Sequence, residues 1–209
     1  MKFKNIFKHF HKICTHKRWV FHYCRKAGIG WRGFWHDMSK FSPTEFWESV
    51  KYYQGTASPI DAAKKDKGWS KAWMHHKGRN RHHYEYWQDN FDKGGAPLQM
   101  PFKDAVELVC DYLSAGRAYM GKNFSYAAEY EWWLNKISQP IAMHPQTMAF
   151  VDKVLLNLKR SELFPNKRYS IFNKRDLRNI YNLEEQKWLN ITRSQTDLRA
   201  VTQVLEDGV

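Results

Sequence analysis

Apolar positions recur at helical spacing through most of the chain. Ile6, Phe10 and Ile13, with Lys17 next in register, run on through Trp19, Val20 and Tyr23 and predict a first helix. Gly28, Gly30 and Gly33 then mark a turn. Ser42-Pro43-Thr44-Glu45 has the chemistry of a helix start, with Ser42 as N-cap, Pro43 at the first helical position and Glu45 in the capping-box place. That helix is expected to run through Phe46, Trp47, Val50 and Tyr53 to Gly55. Ala57–Gly68 reads as a loop or short helix, and Trp69–His76 and His82–Gln88 as helical stretches. Gly94-Gly95-Ala96-Pro97 and Pro101 mark a long connection.

Phe102–Met120 is the strongest amphipathic pattern, with Ala105, Val109, Tyr112 and Leu113 on one side. Ser125–Lys136, Pro145–Arg160 and Asp176–Leu205 are further helical segments, and Arg168–Phe172 reads as a short strand. The predicted class is all-α. A helical domain over 1–137 is expected to carry the chemistry, with 138–209 as an accessory helical region packed on it.

Composition narrows the class. With 43% hydrophobic and 16% aromatic residues in 209, the chain is too apolar for disorder and long enough to bury a core. No run of 18 apolar residues exists, so no membrane span is expected, and Met1–His16 lacks the apolar stretch of a secretory signal. Cys14, Cys24 and Cys110 form no C-x-x-C and read as reduced thiols, which points to the cytoplasm. The net charge of +13 favours anionic partners such as phosphoesters, nucleotides or nucleic acid, and is equally compatible with plain solubility. Of the tryptophans, Trp31, Trp35, Trp47, Trp69, Trp73, Trp87, Trp132 and Trp133 are expected mostly in the core, with one or two free to stack on a nucleobase.

Histidine and aspartate placement is more informative. His22 lies in the first helix, His36-Asp37 stands in the string H-D-M-S-K-F, His75-His76 and His82-His83 follow, and Asp111 lies in the long amphipathic helix. Imidazole and carboxylate together suit Mn²⁺, Fe²⁺, Co²⁺, Ni²⁺ or Zn²⁺, and carboxylates with water suit Mg²⁺. A divalent ion lowers the pKa of water toward neutrality and neutralises charge on a phosphoryl oxygen. Lys40, at i+3 from Asp37 and i+4 from His36, can sit beside that pair. His76 and His83, seven apart, share a face if the helix survives Gly78, and one histidine of each pair is expected to point inward. Asp104, Glu107 and Asp111 form an acidic stripe, ordinarily a solvated one. His9, His11, His16 and His144 show no partner in the sequence.

A histidine, then His-Asp, then a distant aspartate, all on helices, resembles the HD superfamily of metal-dependent phosphohydrolases. His22, His36-Asp37 and Asp111 follow that order, and H-D-M-S-K resembles the variant in which the lysine, here Lys40, assists the phosphate. The intervening histidines are similar to those of members that bind two metals, although the Gly-Tyr-Pro signature of the cyclic-dinucleotide enzymes is missing. The strings H-D-M-S-K-F-S-P-T-E-F and A-W-M-H-H-K-G-R-N-R-H-H-Y-E-Y-W further resemble a little-characterised family of bacterial and phage proteins, the likeness covering about residues 15–137.

The resemblance implies an HD-like helical bundle holding one or two divalent ions (Mn, Fe, Mg, Co, Ni or Zn). His22, His36, Asp37 and Asp111 would serve a first ion, with His76 and His83 at a second. It implies hydrolysis of a phosphoester, in a nucleotide or cyclic nucleotide, with Asp37, Lys40 and Glu85 in catalytic places. Arg79 and Arg81, with Lys40, would bind the anionic substrate, and Glu85 would act as acid or base or orient a histidine. The rival reading is a non-catalytic binding protein using its basic surface for nucleic acid or a signalling nucleotide. A third makes the metal structural, with an acidic protein partner. No membrane partner is expected.

Overall fold

In the computed structural model, which describes residues 3–89, 91–165 and 172–206, the chain is all-α, as its periodicity predicts. The helices are α1 (Lys4–Lys26), α2 (Gly30–Trp35), α3 (Pro43–Lys51), α4 (Pro59–Lys67), α5 (Lys71–Lys77), α6 (Phe102–Met120), α7 (Tyr126–Ile137), α8 (Pro145–Leu163) and α9 (Lys174–Glu206). Strand is confined, among the described residues, to one two-residue antiparallel pair, Gln88–Asp89 against Ala96–Pro97. The strand expected at Arg168–Phe172 lies almost wholly outside the described residues.

Serine caps start several of these helices. The Ser42 hydroxyl accepts from the Glu45 amide, Ser70 from Trp73 and Ser125 from Ala128, each satisfying an otherwise orphaned N–H. The predicted capping box is only half present, because the Glu45 carboxylate turns away toward two histidines. α3 ends at Lys51, short of the expected Gly55, and Ala57–Gly68 resolves into α4, closed by Gly68 at φ +80°. His82–Gln88 is not an α-helix. His83 is extended and only Tyr84–Tyr86 forms a single 3-10 turn.

α6 is the central element, and its pattern is less one-sided than expected, since every residue from Asp104 to Ser114 is buried. α1 lies along it, and α2 packs back on α1 at Gly33, where an added Cβ would stand 2.6 Å from the Cys24 Cβ. α7 and α8 pair, α9 lies on α8, and Trp133, Phe150, Leu155 and Leu177 share one core with Val20, Leu108 and Leu113. The packing therefore has no break at residue 137. Of the tryptophans expected in the core, Trp133 is fully buried, whereas Trp31, Trp35, Trp47, Trp69 and Trp132 are exposed. The three cysteines are free, and no helix among the described residues is long and apolar enough to cross a membrane.

Candidate metal centre

The inward stripe of α1 is His9, Ile13, His16, Val20 and then Tyr23 and Cys24, three and four residues beyond Val20, a spacing that keeps one face of a helix on the core. His16 sits on that stripe and reaches Asp111 of α6, Nε2 to Oδ1, at 3.0 Å. His22, the sequence candidate, does not join the centre. It lies off the stripe, half-buried, its ring edge-on to Trp19 and Tyr23 at 5.6 and 5.4 Å. His16 takes its place.

His36 and Asp37 stand just beyond the end of α2. His36 is extended (φ −53°, ψ 134°), and Asp37 adopts the left-handed conformation (φ 55°), which aspartate tolerates better than most residues and which costs about 1–2 kcal/mol. This backbone bend turns two consecutive side chains into one centre. The ring of His36 places Nε2 3.2 Å from Asp37 Oδ2 and 3.4 Å from Asp111 Oδ1, while His16 Nε2 lies 3.6 Å from the same Asp37 Oδ2.

The other oxygen of Asp37 faces a second group. Oδ1 is 3.3 Å from His76 Nε2 and 3.3 Å from His82 Nε2, and His76 Nε2 is 2.9 Å from His83 Nε2. His76 and His83 thus meet as the spacing suggested, but by a different route. α5 ends at Lys77, and the segment after Gly78 folds back instead of continuing as a helix. Both His82 and His83 point inward, contrary to the expectation of one per pair; in the other pair His76 is buried and His75 stays nearer the rim. Two four-residue sets of ligand atoms result, His16–His36–Asp37–Asp111 and Asp37–His76–His82–His83, each within 4.8 Å of one another, with Asp37 common to both; a third group, His36–His82–Glu107, bridges them.

Carboxylates orient His36, His76 and His82 from the far side of the ring. Glu107 Oε1 accepts from His36 Nδ1 at 2.9 Å and stands 3.4 Å from His82 Nδ1, and Glu45 binds His76 Nδ1 at 2.8 Å and His75 Nδ1 at 2.6 Å. Arg32 in turn holds Glu107 (2.6 Å) and Asp104 (2.5 Å). The acidic stripe of α6 is therefore wholly buried rather than solvated, because each carboxylate has a cationic or imidazole partner. Carboxylates on Nδ1 leave Nε2 free for a ligand role and raise its basicity.

The Nε2 atoms of His16, His36 and His82 and Asp37 Oδ1 are buried and lack hydrogen-bond geometry among the described residues, although the imidazoles stand 3.0–3.6 Å from oxygens of Asp37 and Asp111; Asp37 Oδ2 is already paired with the Lys40 ammonium. Leaving so many buried polar atoms unsatisfied is costly. A cation between them would satisfy all of these atoms at once, so the donor set fits a metal. These buried clusters could hold a metal ion.

The electrostatics agree. Burial opposes the charge of Asp37, yet His36, Lys40 and His76 hold its carboxyl well below the usual range. Burial is likewise outweighed at Asp111 by His16 and His36, and at Glu107 by His36 and His82, so both stay ionised. His83 is driven well below its ordinary value by burial and by its histidine neighbours.

Lys40 places Nζ 2.5 Å from Asp37 Oδ2 and lines a cavity of about 200 Å³ with His9, His16, His76 and Asp111. A larger cavity of about 470 Å³ shares Asp111, His83, Trp73 and Tyr119 with it, and Glu85 lies on its wall. Among the described residues no hydrogen bond or ion pair joins Glu85 to a histidine; that work falls to Glu45 and Glu107, to which the sequence reading gives other roles. Arg79 and Arg81 lie with Arg32 at a separate opening of about 220 Å³ that reaches His36, Asp37 and His82. Arg81 also stands 3.5 Å from Asp104 and over the Trp87 ring.

No curated protein and no solved structure matches the chain. Residues 5–157 match a family profile described as a family of unknown function (DUF5662).

Proposed function

The chain belongs to the DUF5662 family, whose function is unknown, and we propose from the geometry of the site that it is a metal-dependent phosphohydrolase acting on a phosphoester, in a nucleotide or cyclic nucleotide. One observation carries the reading: Asp37 presents one oxygen to His16 and His36 neighbours and the other to His76 and His82, all buried and directed at shared space beside a cavity. His16, His36, Asp37 and Asp111 would hold one divalent ion, and Asp37, His76, His82 and His83 a second. Ions so held supply a Lewis acid that activates water near neutral pH and neutralises phosphoryl charge.

The chain's own residues do the rest. Glu107 and Glu45 keep Nδ1–H of His36 and His76 engaged and so fix which ring nitrogen faces inward. Lys40 retains its proton against burial because Asp37 and Asp111 raise its pKa, so a fixed cation faces the smaller cavity. There it binds a phosphoryl oxygen and stabilises charge that grows as the ester bond breaks. Ile13, Ile60 and Ala118 line the same cavity and limit water around the phosphate.

The test is a panel of nucleoside monophosphates, cyclic nucleotides and simple phosphodiesters with Mn²⁺, Fe²⁺, Co²⁺, Mg²⁺ or Zn²⁺. Turnover is expected with at least one ion, lost on chelation, and lost in Asp37→Asn, which keeps a residue tolerant of the left-handed backbone. Absence of turnover with every ion, or wild-type turnover in Asp37→Asn, would overturn the proposal.

A further inference from the structure

The larger cavity has chemistry that the proposed hydrolysis does not use. It runs from His83 and Asp111 to Lys136 on α7, and its about 470 Å³ is within the size range of small-molecule sites. Tyr84, Tyr112 and Trp132 form an aromatic wall against which the Lys136 ammonium lies, 5.3, 5.9 and 5.7 Å from their ring centroids. Two polar atoms on that wall, Glu85 Oε2 and the Tyr112 hydroxyl, are buried and have no hydrogen-bond partner among the described residues. The charged groups that line the cavity among the described residues are Asp61, Glu85, Asp111, Glu129 and Lys136, four carboxyl groups to one ammonium. Glu85 and Asp61 are the carboxyl groups that act electrostatically on Lys136, and burial, with Asp111, raises the Glu129 carboxyl to about 8.

From these observations we infer that the cavity binds a nucleobase bearing an exocyclic amino group, with the amino N–H donating to Glu85 and the ring lying against the Tyr84, Tyr112 and Trp132 wall. A flat heterocycle suits the aromatic wall. Its amino group gives the unpartnered carboxylate oxygen a donor, and its ring nitrogen or carbonyl accepts from Lys136 or the Tyr112 hydroxyl. A base with oxygen in place of the amine turns a lone pair toward Glu85 and leaves that oxygen unsatisfied. The inference rests on the hydrolase reading for the place of the phosphate, beside Lys40, but not for the binding of the base.

The experiment is calorimetric titration of the full chain with nucleosides, which carry no phosphate, in the presence of chelator. Cytidine is compared with uridine, and adenosine with inosine. The amino member of each pair is expected to bind at least about tenfold tighter, the worth of one hydrogen bond to a buried charge. Glu85→Gln should abolish or invert that preference with an unchanged circular dichroism spectrum, and Tyr112→Phe should weaken both members while keeping the preference. Equal binding within both pairs, no nucleoside binding, or a preference that survives Glu85→Gln would overturn the inference. Nucleoside preference without phosphoester turnover would support it and remove the hydrolase reading. Turnover without base preference would do the reverse.

Discussion

Glu107 touches both halves of the candidate metal centre, and replacing it by glutamine should reveal that position. Its Oε1 accepts from His36 Nδ1 at 2.9 Å and lies 3.4 Å from His82 Nδ1, while Oε2 pairs with Arg32 at 2.6 Å. His36 belongs to one ligand set and His82 to the other. The glutamine has the same size and can still accept one hydrogen bond, but it removes the charge that raises imidazole basicity. Loss of such a carboxylate partner typically lowers metal affinity by about 10–100-fold, or about 1.4–2.7 kcal/mol. Both Mn²⁺ binding steps in a calorimetric titration of Glu107→Gln should therefore weaken by about that factor. Glu45 serves His76 alone among the ligands, so Glu45→Gln should weaken one step and spare the other. Metal-free Glu107→Gln should also melt lower, because Arg32 keeps only Asp104 as its strong partner. Wild-type affinity at both steps in Glu107→Gln, or equal weakening of both steps in Glu45→Gln, would refute the assignment of carboxylates to imidazoles.

Three further outcomes follow. His16→Ala should lose bound metal whereas His22→Ala keeps it, a contrast that elemental analysis of the two purified variants measures. Gly33→Ala should lower Tm by about 2–8 °C in a thermal melt. Its Cβ would enter the Cys24 Cβ at 2.6 Å, and overpacking of about 1–3 kcal/mol exceeds the gain in helix propensity. Glu129 should tie stability to pH. Burial, with Asp111, raises its folded pKa from 4.5 to about 8, so between those values the unfolded chain is ionised while the folded one keeps its proton. Stability of the metal-free protein should then fall as pH rises from about 4.5 to 8, and Glu129→Gln should flatten that slope in melts at successive pH values.

The helices were largely legible from spacing, since Phe102–Met120 coincides with α6 and serine caps mark the starts of α3 and α7. Of the candidate ligands, His36, Asp37, His76, His83 and Asp111 were legible in the sequence, whereas His16 and His82 were not. His22 was chosen by its place in the order of a resemblance. The α1 register argues otherwise, because His16 lies three residues after Ile13 and four before Val20, both buried, whereas His22 falls two beyond Val20 on another face. His82 was missed because helical geometry cannot turn adjacent side chains to one point, and the extended backbone at His83 was not foreseen. The acidic stripe of α6 was misread as solvated because its partners, Arg32, His36 and His82, are remote in sequence. Five of the tryptophans lie on the surface for a related reason: composition reports how many large rings exist, and the fold decides which faces are covered.

The metal content of the purified chain, measured after equilibration with excess Mn²⁺ and dialysis, tests the central claim most directly. Two ions per chain in the wild type and neither retained in Asp37→Asn is the predicted result, because both ligand sets share Asp37. A wild-type chain that retains no ion, or an Asp37→Asn variant that retains both, would contradict it.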